Sequence, residues 1–228
     1  MKNHPPRIIL ASGSAYRREL LSRLVKFFDS SSPDIDESRT KNETADNYVK
    51  RLAREKAEAV ASAITGRQTA ARGLERSAST NYENQGDKLA SEGVHSLIIG
   101  SDQTAVIGDQ LLGKPGNFER AFQQLRVCSG QRVRFVTGLA LLAAETGRLE
   151  VEIDEVSVQF RHLSDQEIEA YLKEEEPYDC AGSFKCEGLG IALFDSIESN
   201  DPNSLVGLPL IRLNKMLLRF GYNPLFNR

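Results

Sequence analysis

The sequence predicts an α/β protein built on a mixed sheet, and three observations lead there. Apolar runs of strand length alternate with amphipathic helical stretches through the first half of the chain. Two long strand signals, residues 133–144 and 149–161, flank Glu145-Thr146-Gly147-Arg148 and read as an antiparallel hairpin. Hydrophobic residues make up 40% and charged residues 27% of 228 positions, enough apolar surface for a substantial core. Alternating units favour parallel pairing and the hairpin is antiparallel, so the sheet is mixed.

Taken in order, residues 7–11 form a short apolar strand that stops at Ser12-Gly13-Ser14, and a helix over 15–24 begins at once. A helix over 44–64 carries an apolar stripe at 3.6-residue spacing that includes Tyr48, Val49, Leu52, Ala53, Ala57 and Val60. Residues 65–94 are rich in Gly, Ser, Thr, Asn, Arg and Gln without periodicity, and read as a mobile insertion. A second apolar strand spans 96–107. A helix over 118–128 follows, with Asn117 as its N-cap. After the hairpin, Ser164 and Glu167 form a capping box for a helix over 165–173. A late strand is expected at 190–194 and a last helix at 208–220. One domain covering 1–228, interrupted at about 65–94, is expected.

Composition excludes several functions. A net charge of −3 lacks the basic excess of a nucleic-acid binder. No apolar run is long enough to span a bilayer, and the first residues lack a signal-peptide core. Three cysteines without CxxC spacing indicate neither a disulfide framework nor a zinc site. A cytoplasmic protein is expected.

Five places carry misplaced charge. At Ser12-Gly13-Ser14 a strand delivers a small-residue turn to a helix N-terminus, where free N–H groups and the helix dipole favour a phosphate. Ser12 and Ser14 are the candidate cradle. Arg17 lies in line with Leu20, Leu21 and Leu24 and is the candidate guanidinium contact. An ordinary turn capped by Ser14 fits the same residues. Lys56 falls inside the apolar stripe of its helix, where an unpaired ammonium is costly, so an anionic partner is expected. The neighbouring Arg51, Arg54, Glu55 and Glu58 are expected in solvent. Asp102 interrupts a continuous apolar segment at Gly100-Ser101-Asp102, and is the leading catalytic carboxylate. Lys114 sits in a rigid Gly113-Lys114-Pro115 frame, and the acidic loop Asp34-Ile35-Asp36-Glu37 offers oxygen ligands for a hard cation or a solvated surface. Glu174-Glu175-Glu176 reads as a solvated helix end. Residues 180–190 read as a glycine-rich loop wrapped close to a ligand.

These motifs together resemble the Maf family of nucleotide pyrophosphatases, and within it the YceF-like branch. The matching stretches are Leu10-Ala11-Ser12-Gly13-Ser14, Arg51-Leu52-Ala53-Arg54-Glu55-Lys56-Ala57, Ile99-Gly100-Ser101-Asp102-Gln103, Gly113-Lys114-Pro115, Cys180-Ala181-Gly182-Ser183-Phe184-Lys185 and Asp201-Pro202-Asn203-Ser204-Leu205-Val206-Gly207-Leu208-Pro209. The resemblance implies a two-lobed α/β fold like the inosine-triphosphate pyrophosphatases, with a cleft between the lobes. It implies a cytoplasmic enzyme, often a homodimer, that uses a divalent metal such as Mg²⁺ or Mn²⁺. For this branch it implies hydrolysis of 7-methyl-GTP to 7-methyl-GMP and pyrophosphate.

Carried over position by position, Asp102 is the implied proton acceptor, and Arg17, Glu37, Lys56 and Lys114 are the implied charged active-site residues. Glu37, with or without Asp102, would hold the metal; Asp102 as base or as ligand stays open. Tyr16, Gln103 and Glu187 match the branch's specificity positions. An aromatic face suits the cationic N7-methylated ring, and a glutamate accepts from guanine N1–H and N2–H₂. Two alternatives stand beside this reading. One is a pyrophosphatase of the same fold for dTTP, UTP or another modified nucleotide. The other is a non-catalytic nucleotide-binding regulator of cell division.

Overall fold

A computed structural model describes residues 5–78 and 95–227. Its elements are β1 (Arg7–Ala11), α1 (Ala15–Leu24), β2 (Asp29–Ser31), α2 (Ala45–Ala78), β3 (Ser96–Ile107), β4 (Gln110–Leu112), α3 (Phe118–Cys128), β5 (Arg132–Ala143), β6 (Leu149–Phe160), α4 (Asp165–Glu175), β7 (Phe194–Ser199) and α5 (Leu210–Arg219). The strands form one mixed sheet in the order β2-β1-β3-β5-β6-β7, with β4 paired to β3. β1 runs parallel to β2 and to β3, and every later pairing is antiparallel. The mixed α/β class is therefore the one the sequence predicts.

Alternation along the long central strands divides the core. Ile98, Ala140 and Leu142 pack against Ala53, Ala57 and Val60 of α2, and Val106 and Val136 pack against Val49. The opposite face carries two separate clusters. Leu97, Ile99, Leu139 and Leu141 meet Leu20 and Leu21 of α1 with Leu213, Met216 and Leu217 of α5. Further along the same strands, Phe135, Val156 and Val158 meet Leu125 of α3 and Ile168 and Leu172 of α4. These two clusters share one face of the sheet, on either side of the row formed by Gln103, Thr137 and Asp154.

Two glycines set how closely α2 approaches. A Cβ on Gly100 would lie 2.0 Å from the carbonyl oxygen of Ala53, and one on Gly138 would lie 2.2 Å from that of Val49. The helix backbone therefore rests directly on the sheet, as only glycine at those positions permits.

Two local expectations need correction. Of the strand expected at 190–194 only Phe194 is strand: a 3-10 turn occupies Leu189–Leu193, and β7 begins at Phe194. The cause is tight winding at Gly190, whose N–H donates to the Lys185 carbonyl and whose Cβ, if present, would clash with it. Helix α2 continues through Ala78, into the stretch expected to be without structure, because Ala, Arg, Gln and Leu there sustain a helix. The rest of the expected mobile insertion, 79–94, lies outside the described residues. Strands β2 and β4 are three residues each, too short to show alternation, and their existence depends on pairing with β1 and β3.

Candidate active site

The cleft opens at a gap in the sheet. β1 covers one edge of β3 only as far as the pair Ala11↔Gly100, and β4 takes up that edge at Ala105↔Leu112. Ser101, Asp102, Gln103 and Thr104 have no strand neighbour on that side among the described residues, while β5 pairs with them on the other. Backbone polar groups at such an opening seek side chains or ligands.

On the α2 face, Lys56 meets the anionic partners that its place in the apolar stripe demands. Its Nζ lies 2.6 Å from Asp102 Oδ1 and 2.7 Å from Glu37 Oε1. Lys56 and Asp102 are each 8% exposed, so their attraction is weakly screened. Burial opposes ionisation of Glu37, but Lys56, Lys114 and Arg17 together hold its carboxyl below the usual range. Lys114 itself is exposed on the loop after β4, near enough to act on Glu37. Three of the sequence-derived charges thus converge on one carboxylate.

Arg17 approaches from the other side of the gap. Its Nε donates to Gly207 O at 2.9 Å and its Nη1 to Ser101 O at 3.0 Å. Two nitrogens are spent on protein carbonyls, which leaves Nη2 for a ligand. Burial lowers its pKa against the opposing pull of Asp102 and Glu37, yet a guanidinium remains charged. The serines of the turn are committed locally. Ser14 Oγ caps α1 by accepting from Arg17 N, and Ser12 Oγ accepts from Ser14 N at 3.1 Å. Each hydroxyl accepts one local bond and keeps its O–H to donate to a ligand, whereas the Ser14 N–H is already spent on Ser12 Oγ.

The three specificity positions separate. Tyr16 and Glu187 line a pocket of about 720 Å³ whose wall continues over Ile191, Ile197, Leu205 and Val206. The Tyr16 phenol is raised above its usual value by burial and by the proximity of Cys180 and Glu187. Glu187 Oε2 accepts from the Cys186 thiol at 3.3 Å. Gln103 lies outside that wall. Its Nε2 donates to Thr137 Oγ1 at 2.9 Å and to Ser204 O at 2.7 Å, so only its carbonyl end is left for a ligand.

Several functional supports were not visible in the sequence. Arg51 is not solvated: its guanidinium forks onto Glu43 at 2.8 and 3.0 Å and donates to Ser38 O, tying the acidic loop to α2. Tyr48 Oη adds a bond to Glu37 O at 2.9 Å. Glu175 is likewise engaged, accepting from Leu189 N at 2.6 Å and so anchoring the glycine-rich loop. Within that loop, Gly182 makes room for the Phe135 ring and Gly190 for the Lys185 backbone, so both glycines serve protein packing. Charge at helical spacing gave the signal for Arg51, but only its partner's position distinguishes a clamp from a surface charge.

Chemically, the cleft offers two carboxylates, one buried ammonium and one guanidinium around a common opening. Glu37 and Asp102 fit a hard divalent cation as a pair of oxygen donors. No set of three or more acidic, histidine or cysteine ligands gathers among the described residues. A pair suits Mg²⁺, which completes its shell with water and substrate phosphates. The fold and the cleft define a phosphate-handling α/β protein. The chain belongs to the Maf-like protein family, whose model matches residues 7–220.

Among curated proteins, it is 50% identical over 216 residues to a 7-methyl-GTP pyrophosphatase of Pseudomonas syringae pv. syringae, covering 95% of this chain and 97% of that protein. It is 47% identical over 221 residues to the protein of the same name from Alcanivorax borkumensis, covering 97% and 98%. With that from Nitrosococcus oceani it shares 44% over 218 residues, covering 96% and 95%. No helix among the described residues is long and apolar enough to cross a membrane.

Proposed function

We propose that this chain is a cytoplasmic nucleoside triphosphate pyrophosphatase, acting as a single catalytic unit over 1–228, that converts 7-methyl-GTP and water to 7-methyl-GMP and pyrophosphate. The observation that carries the chemistry is Lys56 held within 2.7 Å of both Asp102 and Glu37 beside the open edge of β3. The names of its relatives support the substrate.

In this reading Asp102 accepts the proton of a water that attacks the α-phosphorus, and the bond to the bridging oxygen of pyrophosphate breaks. Lys56 holds Asp102 in place. Arg17 Nη2 and Lys114 neutralise charge on the leaving pyrophosphate, and the N-terminal turn of α1 at Ser12-Gly13-Ser14 presents backbone N–H groups to phosphate oxygens. Glu37 would hold Mg²⁺ or Mn²⁺, with Asp102 as a second ligand only where it does not serve as the base, and the ion's charge would stabilise the phosphate oxyanions. Tyr16 stacks on the cationic ring, Glu187 accepts from the guanine edge and Gln103 offers its carbonyl oxygen. A homodimer belongs to the same reading through the family resemblance.

The test is pyrophosphate release from 7-methyl-GTP, GTP, UTP and dTTP, with Mg²⁺, with Mn²⁺ and with neither. Wild type should favour 7-methyl-GTP and need the metal. Glu187→Gln should lose roughly ten- to hundredfold of the preference over UTP, since a carboxamide accepts at one end only. Tyr16→Leu should act in the same direction. A higher kcat/KM for dTTP or UTP in wild type would hand the site to the pyrimidine alternative. No release from any of the four would leave a pyrophosphatase for another modified nucleotide or the non-catalytic regulator.

A further inference from the structure

Gln103, Thr137 and Asp154 occupy facing positions on β3, β5 and β6, a polar row across the sheet between the two apolar clusters. All three grip one loop residue. The Ser204 carbonyl accepts from Gln103 Nε2 at 2.7 Å, from Thr137 Oγ1 at 3.2 Å and from Gly207 N at 3.0 Å. The Ser204 hydroxyl donates to Asp154 Oδ2. Asp154 Oδ1 accepts from Arg212 Nε at 3.1 Å and Nη2 at 2.9 Å, which joins α5 to the same point. Thr137 and Ser204 are completely buried and Asp154 is 6% exposed.

A buried polar network with every member satisfied rigidifies whatever it holds, because each broken bond exposes an unpaired group in a low-dielectric interior. What it holds is the turn to Gly207. There the backbone passes through φ +103, and the carbonyl accepts from Arg17 Nε at 2.9 Å and from Ser101 Oγ at 2.9 Å.

We propose that Asp154, which lies outside the cleft and makes none of the ligand contacts assigned above, is a positioning residue for Arg17. It fixes Ser204, Ser204 fixes the turn to Gly207, and the Gly207 carbonyl aims the guanidinium. The inference deepens the pyrophosphatase reading and rests on it for its kinetic test alone. In Asp154→Asn the negative charge goes and one acceptor oxygen becomes an amide donor, so either Arg212 loses its acceptor or the Ser204 hydroxyl exchanges a charge-assisted bond for a weaker one in which it accepts.

Two measurements test it. The first is solvent exchange of the Arg17 Nε–H by ¹⁵N NMR, the signal being assigned by its loss in Arg17→Lys. Exchange should accelerate about tenfold or more in Asp154→Asn, as the Gly207 tether opens more often. The second is a double-mutant cycle on kcat/KM for 7-methyl-GTP. Asp154→Asn should cost about tenfold in wild type and nothing further in the Arg17→Lys background.

Unchanged exchange, or losses that add in the double variant, overturns the proposal. A merely structural role would lower stability without selective coupling to Arg17. Should Asp154→Asn not fold, Thr137→Val keeps the side chain's shape and removes one donor to Ser204; because it also removes the acceptor of Gln103 Nε2, it carries the exchange measurement alone, with the same expected sign. If wild type releases no pyrophosphate from 7-methyl-GTP while exchange still accelerates, the substrate reading falls and the positioning role stands.

Discussion

Lys56 shows what a single side chain contributes here, because its ammonium bridges a nearly buried carboxylate and a half-exposed one. Removing one partner of a buried pair leaves the other charge uncompensated, at a cost of roughly 3–5 kcal/mol when burial is complete. Lys56→Met should therefore lower stability by on the order of 3 kcal/mol as well as lowering kcat, despite its good fit to an apolar stripe. The double variant Lys56→Met/Asp102→Asn should recover most of that stability while staying inactive. Denaturant melts of the two proteins decide this; an unaltered midpoint in the single variant would mean that the contact contributes no net stability. Asp102→Asn alone should keep the fold and reduce turnover by about 10²–10⁴-fold, the usual contribution of a general base. Near wild-type pyrophosphate release from that variant would remove Asp102 from the chemistry.

At the level of elements, the acidic loop and α2 act as one body because Arg51 and Tyr48 reach back from the helix to residues 37–43. The fork of Arg51 holds the Glu43 carboxyl down to about 2, from a reference value of 4.5. A folded-state pKa below the unfolded one means stability that is fully present above pH 4.5 and is lost as pH falls through about 2. Glu43→Gln should thus melt below wild type at neutral pH, with the difference shrinking steadily as pH falls from 4.5 towards 2. Melting curves over that range check the sign. A gap that stays constant would locate the effect in packing rather than in the ion pair. The same variant loosens the loop that carries Glu37, so a rise in the Mg²⁺ concentration needed for half-maximal activity should accompany it.

For the molecule as a whole, the site exists because β1 and β4 leave residues 101–104 of β3 uncovered on one edge and α2 lies directly on the sheet. Gly100 and Gly138 permit that approach, and Gly100 stands two residues before Asp102 on the same face of β3. Gly100→Ala would place a methyl 2.0 Å from the Ala53 carbonyl oxygen, and a backbone atom cannot swing aside as a side chain does. The helix must lift, at a cost of roughly 1–3 kcal/mol as in other overpacked cores. Lys56, one turn beyond Ala53, would move with it and part from Asp102. Both the denaturation midpoint and kcat should fall together. Loss of stability with full kcat would show that the spacing between helix and sheet is not what sets the catalytic contact.

Much of this was legible in the chain. The strand ending at Ser12, the stripe of α2 with Lys56 inside it, the carboxylate breaking the β3 run and the long hairpin all follow from periodicity and from the penalty on buried charge. These are local rules, and residues that break them announce themselves. Arg51, Glu175, Asp154 and Arg212 break no such rule. Each is a polar residue in an ordinary setting, and its role depends on a partner 8, 14, 50 or 58 positions away. Short strands and tight turns were equally hidden, since three residues carry no period and Gly190 is shaped by the Lys185 carbonyl. The pairing of distant groups arises when the sheet sets its register and the loops close over it, so sequence marked the charges that need partners while folding determined which groups meet them.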